Sequence, residues 1–193
     1  MREIIFATGN AHKVMEIKAM LPSEFSIKSL EDIHFTDELP ETQDTIEGNS
    51  LQKATTLQAL IGVDCFAEDT GLEVEALNGE PGIRSARYAG EGKDANDNMD
   101  LLLANLMGVE NRNAQFKTVI TLVIGADVHQ FEGVLKGKIG FEKKGSYGFG
   151  YDPIFIVDGE KTLAELTLAE KSKISHRGKA VKAFVEFLKK EFI

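Results

Sequence analysis

Apolar and polar positions repeat with two different periods along this chain, and the switches between them mark its elements. Ile4-Ile5-Phe6-Ala7 is a short continuous apolar run and predicts a buried strand. Thr8-Gly9-Asn10 follows as a turn. Val14, Ile17 and Leu21 then fall on one helical face until Pro22 ends the segment. Phe25-Ser26-Ile27 fits a strand, ahead of a polar loop from Asp37 to Glu41. Leu51, Ala54, Leu57 and Ile61 share a face and predict a second helix from about Glu47 to Ile61. Cys65-Phe66-Ala67 predicts a strand ending in the turn-like Glu68-Asp69-Thr70-Gly71. Leu72 and Val74 then alternate with acids, as in a half-buried strand.

Asn78 to Gly82 reads as a loop. Asp94 predicts the cap of a third helix that carries Met99, Leu102, Leu103 and Leu106 and stops at Gly108. Residues 115–124 and 128–139 predict two long strands in a hairpin around Gly125-Ala126-Asp127. The glycine-rich loop from Gly145 to Gly150 leads into a strand at Ile154 to Val157. Thr167 and Glu170 have capping-box spacing. Ser175 can cap a final helix with Val181, Phe184, Val185 and Leu188 inward. Helices and strands alternate, yet the hairpin is antiparallel. The expected fold is therefore α/β, a mixed β-sheet flanked by helices. No repeat or linker interrupts residues 1–193, which read as a single domain.

Composition narrows the function. The chain is 42% hydrophobic and carries a net charge of -9. It can bury a core unaided, and it does not advertise a surface for nucleic acid or an anionic membrane. No apolar run approaches the ~20 residues of a membrane span. The first apolar run is too short for a signal-peptide core, so the expected location is cytoplasmic. One cysteine, Cys65, excludes an intrachain disulfide and reads as a buried core thiol. His34 and His129 read as surface or packing residues, and no Cys/His set suggests zinc.

Three constellations carry candidate chemistry. Thr8-Gly9-Asn10-Ala11-His12-Lys13 joins a strand to a helix, so its backbone amides and the helix dipole favour an anion, with Lys13 adding charge. An ordinary strand-to-helix turn explains the same residues. Glu68 and Asp69 are adjacent acids beside an apolar strand, costly to bury unless neutralised. Strand alternation sends them to opposite faces, so one of them faces a ligand. Asp69, with Glu41 as second carboxylate, offers the hard oxygens that Mg²⁺ prefers. Solvated turn acids are the plain alternative, and Asp37, Glu38 and Asp44 compete with Glu41 by composition. In the third constellation, Gly148 and Gly150 let the backbone approach a ligand and Phe149 or Tyr151 offers a stacking face. Lys171, His176 and Arg177 bracket the Ser175 cap. Cations at a helix N-terminus oppose the dipole, and an anionic ligand would justify them. Lys53 lies off the apolar stripe of its helix and reads as a surface lysine.

Taken in order, these segments resemble the inosine triphosphate pyrophosphatase family, the Ham1-like noncanonical purine NTP pyrophosphatases. The resemblance rests on Ala7-Thr8-Gly9-Asn10 with Lys13, on Ala67 to Leu72, and on Gly79 to Gly82 with Ser85 to Tyr88. It rests equally on Gly148 to Pro153 and on Glu170 to Ser172 with Ser175 to Gly178. It implies an elongated mixed sheet with two lobes and a nucleotide cleft between them. It implies a homodimeric, Mg²⁺-dependent enzyme that converts ITP, dITP and XTP to the monophosphate and pyrophosphate. By position, Thr8, Gly9, Asn10, Ala11, His12 and Lys13 would hold phosphates, joined by Lys53. Glu41 and Asp69 would hold the metal, Asp69 would also accept a proton, and Thr70 would touch the substrate. Phe149, Gly150, Tyr151, Asp152, Lys171, His176 and Arg177 would bind the base and the nearby phosphate. One departure stands out: Glu47-Gly48-Asn49-Ser50 replaces the Glu-Glu-Asn-Ala run of many members, which removes a carboxylate at Gly48. Two rival readings are a Maf-type nucleotide diphosphatase and a nucleotide-binding protein without catalysis.

Overall fold

The computed structural model describes residues 2–192. The elements run β1 (Arg2–Phe6), α1 (Ala11–Lys18), β2 (Phe25–Ser29), α2 (Ile46–Ile61), β3 (Cys65–Val74), β4 (Pro81–Gly82) and α3 (Ala95–Asn105). They continue with β5 (Asn113–Ile124), β6 (Asp127–Ile139), β7 (Phe155–Val157), β8 (Lys161–Thr162), α4 (Leu168–Ile174) and α5 (His176–Phe192). Among the described residues the strands form one eight-stranded sheet in the order β2-β1-β3-β5-β6-β7-β8, with β4 paired to β3. The sheet is mixed, as expected. β1 pairs in parallel with β2 and β3, whereas β6–β7 and β7–β8 are antiparallel. The two-residue turn joining β5 to β6 makes that pair antiparallel too.

The chain divides into two compact units. The first holds residues 1–69, 118–133 and 176–193, and the second holds 70–117 and 134–175. In the first unit β1 shows why a strand forms there. Ile4 and Phe6 join a cluster with Ile17, Phe66, Phe184 and Leu188, while Ile5 and Ala7 join Ala54, Leu57 and Ala67 in another. Alternate side chains thus enter two cores, so the strand is apolar from Ile4 onward, past the exposed Arg2 and Glu3 at its start. α5 lies very close to β6. A side chain at Gly133 would run into the His176 carbonyl and the Ala180 amide. In the second unit Met99, Leu102 and Leu106 pack with Leu72, Val74, Phe116, Phe155 and Leu163. Arg112 is buried there and donates to the carbonyls of Leu106, Ile139 and Gly140.

Several expectations shift in register. Asp94 caps α3 through the amides of Asn96 and Asp97, but the helix ends at Asn105, short of Gly108. α2 begins at Ile46, and Leu51 points outward at 37% exposure. Its buried face is instead Ile46, Asn49, Ser50, Lys53, Ala54 and Leu57. Lys53 is therefore a buried lysine, contrary to the surface reading. The largest difference is β3, one continuous ten-residue strand through Glu68, Asp69, Thr70 and Gly71. Two acids and a glycine look locally like a turn. They stay in the strand because cations from other elements neutralise the acids.

Candidate active site

In the first unit α1 begins as a capped helix directly after β1. Asn10 Oδ1 accepts from the amides of His12 and Lys13 at 3.0 and 3.2 Å, and Thr8 Oγ1 accepts from the Asn10 amide at 3.1 Å. Gly9, Asn10, Ala11 and His12 are exposed, and Thr8 is half-buried. The cap fixes the loop shape and places Lys13 on the first turn. Lys13 Nζ lies 3.2 Å from Glu68 Oε1. Burial pushes the Lys13 ammonium below its ordinary value, and the Glu68 carboxylate resists that shift.

Glu68 is the hub. The guanidinium of Arg177 donates to it through Nε at 2.7 Å and Nη2 at 2.8 Å, and to Glu16 through Nη1 at 2.6 Å. Arg177 is 1% exposed. Burial alone would lower its pKa, but Glu68 and Glu16 raise it. The expectation assigned these donors to a base or phosphate. The structure directs them at two carboxylates of the protein itself. That bidentate fork suits guanidinium better than ammonium. His176, beside it, is buried at the start of α5.

Asp69, the next strand residue, belongs to a different set. Lys53 Nζ donates to Glu41 Oε1 at 2.6 Å, to Asp69 Oδ1 at 3.1 Å and to the Glu68 carbonyl at 3.0 Å. α2 supplies this lysine and also positions Glu41. The Gln43 amide donates to Asn49 Oδ1, and the Thr42 amide donates to Gln52 Oε1, each at 2.9 Å. Ser50 Oγ, 2.8 Å from Thr121 Oγ1 and 3.0 Å from the Val119 carbonyl, ties the same helix to β5. Burial raises the Asp69 carboxyl pKa, opposed by Lys53 and Lys13 and assisted by Glu41. Burial also works against the Lys53 charge, but Asp69 and Glu41 outweigh it and the ammonium pKa goes up. Gly48 is part of this build. Its amide donates to the cap Thr45 at 3.0 Å, and a Cβ there would come within 2.8 Å of Gln43 Cβ. A glutamate at 48 would therefore require the loop to move.

In the second unit Asp152 organises the glycine-rich loop. Its Oδ2 accepts from the Phe149 amide at 2.9 Å and from Lys171 Nζ at 2.6 Å. Gly148 has φ +75°, and its missing side chain leaves room for that carboxylate. Asp152 and Lys171 are both buried, and Lys171 Nζ lies 5.1 Å from the centre of the half-buried Phe149 ring. Gly150 also takes a left-handed conformation, φ +63°. Tyr151 is buried and donates to the Ser85 carbonyl at 2.8 Å; burial pushes its hydroxyl pKa up. It packs inside, so of these two aromatic rings only Phe149 stays partly exposed. Lys171 sits in the last turn of α4, where the helix dipole welcomes a cation. The basic cluster is thus answered by the protein's own anions, Asp152 for Lys171 and Glu68 with Glu16 for Arg177. Thr70 is half-buried on β3.

Glu16 and the hub role of Glu68 escaped sequence reasoning. Glu16 looks like a solvated helix acid, and its partner Arg177 lies 161 positions away.

The Ham1 family model matches residues 4–187. The chain belongs to the Ham1 family. It is 53% identical to a dITP/XTP pyrophosphatase of Flavobacterium psychrophilum, over 97% of this chain and 99% of that one. It is 45% identical to a dITP/XTP pyrophosphatase of Bacillus subtilis, over 97% and 98%. Among solved structures it resembles the Staphylococcus aureus Ham1 protein with a TM-score of 0.89 at 38% identity, covering 98% of this chain and 100% of that one. A nucleoside-triphosphatase / dITP/XTP pyrophosphatase of Mycobacterium abscessus aligns with a TM-score of 0.77 at 41% identity, covering 95% and 98%. The mixed open sheet flanked by helices is the architecture of these Ham1 structures.

Proposed function

We propose that this chain hydrolyses noncanonical purine nucleoside triphosphates, namely ITP, dITP and XTP, to the monophosphate and pyrophosphate. Ham1 membership and the activity by which its relatives are named support the substrate class. The observation that carries the chemistry is the convergence of Glu41 and Asp69 on one buried cation.

That array fits Mg²⁺. Its donors are hard carboxylate oxygens, and the Lys53 ammonium is a stand-in cation between them. Among the described residues no group of three or more His, Cys, Asp or Glu is placed to hold a metal. Two carboxylates suffice for Mg²⁺, which keeps waters and takes substrate phosphates as its remaining ligands. Glu41 and Asp69 would hold the ion. When bound it would offset charge on the phosphate oxygens and orient the leaving pyrophosphate.

The protein groups have separate tasks in this reading. Asp69 takes a proton from water as the water oxygen bonds to the α-phosphorus. The bond from that phosphorus to the bridging oxygen breaks, and its electron pair leaves with pyrophosphate. The loop from Thr8 to Lys13, with Lys53, holds phosphates, and Thr70 touches the substrate. The family resemblance supports a nucleotide-binding role for His176 and Arg177, and Arg177 also fixes Glu68 and through it Lys13. The family resemblance supports a base-binding role for Phe149, Gly150 to Asp152 and Lys171 in the second unit. A hydrogen-bond donor aimed at a 6-keto oxygen accepts hypoxanthine and xanthine. It meets another donor in adenine, a mismatch that can reach about 10⁴-fold.

We also infer a homodimer, supported by the family resemblance, and a cytoplasmic location. The test is pyrophosphate release from ITP, dITP, XTP, dUTP, ATP and GTP, with and without Mg²⁺. Turnover confined to ITP, dITP and XTP and dependent on the metal is expected. No turnover of any of these three by the wild type would sink the reading, and preference for dUTP would favour a Maf-like activity.

A further inference from the structure

The Lys53 ammonium sits where a cation shared by Glu41 and Asp69 would sit. Its three hydrogen bonds, to Glu41 at 2.6 Å, Asp69 at 3.1 Å and the Glu68 carbonyl at 3.0 Å, use every donor an ammonium has. Its side chain is 9% exposed, and the Glu41 and Asp69 side chains are 31% and 11% exposed. A divalent ion bound by the same carboxylates would lie about 2.1 Å from their oxygens. The two cations cannot share that position, because like charges so close in a poorly hydrated setting repel strongly.

We infer that Lys53 is a tethered counter-ion that the metal displaces, and that the released ammonium passes to the phosphates of the arriving nucleotide. This rests on the pyrophosphatase reading given above. The helix need not move for the exchange. Ala54 and Leu57 are fully buried and fix α2, so the long lysine stem alone swings.

Two consequences follow from the geometry. Without nucleotide, a metal must compete with a cation that is covalently present at high effective concentration, so it binds weakly. With nucleotide, the phosphates receive the ammonium and leave both carboxylates to the metal. Metal and nucleotide therefore bind cooperatively, and each raises the other's affinity by the same factor. Lys53 also keeps the buried Asp69 carboxylate and the partly exposed Glu41 carboxylate from facing each other uncompensated before either ligand arrives.

The test is Mn²⁺ binding, read as free Mn²⁺ by electron paramagnetic resonance, with and without an α,β-imido analogue of ITP. Wild type, Lys53→Met and Lys53→Gln are compared after a thermal melt of each. Without the analogue, Lys53→Met should bind Mn²⁺ about tenfold tighter than wild type. The enhancement produced by the analogue, corrected for the Mn²⁺ that the analogue binds without protein, should be about tenfold smaller in the variant than in wild type. Lys53→Gln keeps a donor for the carboxylates and carries the comparison if Lys53→Met does not fold. Equal or weaker Mn²⁺ binding by the variants overturns the exchange while leaving the enzyme reading intact. Failure of wild type to bind Mn²⁺ even with the analogue removes the metal reading, and the exchange with it.

Discussion

Asp69 and Glu68 are neighbours on one strand with different work. Asp69 faces Lys53 and Glu41, and Glu68 faces Arg177 and Lys13. Substitution should separate them. Asp69→Asn is expected to retain nucleotide binding, measured by calorimetry, and to lose about 10²- to 10⁴-fold in turnover. Normal hydrolysis of ITP by that variant would remove Asp69 from its role. Glu68→Gln should act first on the fold. It leaves the Arg177 charge buried with Glu16 as its remaining carboxylate partner in this network, and breaking such a pair costs about 3–5 kcal/mol. Urea unfolding measures this, and a loss under about 1 kcal/mol would show that the pair does not hold the core. Asp69 stood out in the sequence because it sits in a short, specific motif. Glu16 did not. Nothing within a few residues of it distinguishes a buried acid from a solvated one.

At the scale of elements, α2 shows how periodicity can name a helix and misplace its face. Leu51 is apolar and turned outward, while Asn49, Ser50 and Lys53 are polar and buried. These polar groups hold the Glu41 loop, β5 and the paired carboxylates, so their burial is compensated by partners outside the helix, from 6 to 69 positions away. Capping needs no such partner. The box that starts α4 forms as its spacing predicts, with Glu170 Oε2 accepting from Thr167 Oγ1 at 2.7 Å and from the Thr167 amide at 2.8 Å. Those bonds, the hydroxyl first, hold the Glu170 carboxyl below its ordinary value. A carboxyl depressed in the folded state stabilises above its unfolded pKa, about 4.3, and that contribution fades as pH falls through the folded value. Glu170→Gln should therefore melt below wild type at neutral pH, with a difference that closes on acidification. A difference independent of pH would mean that the charge on Glu170 contributes nothing to the cap.

At the scale of the whole molecule, the mixed α/β sheet was legible because alternation, turns and the 115–139 hairpin are local signals. The strand order was not, since nothing in Ile4 to Ala7 states that β1 lies between β2 and β3. The chain by itself determined the helices α1 to α5, the long hairpin, the loop before Lys13, the glycine turns around Phe149 and a family membership spread over residues 4–187. Each of these depends on residues close together or on motifs in order. Only the tertiary structure decided which charges meet. It ran β3 straight through Glu68 and Asp69, buried Lys53 between two carboxylates, and turned Arg177 inward onto Glu16 and Glu68. The physical reason is compensation. A charge can be buried only where an opposite charge arrives with it, and here the opposite charges come from positions as much as 161 residues apart.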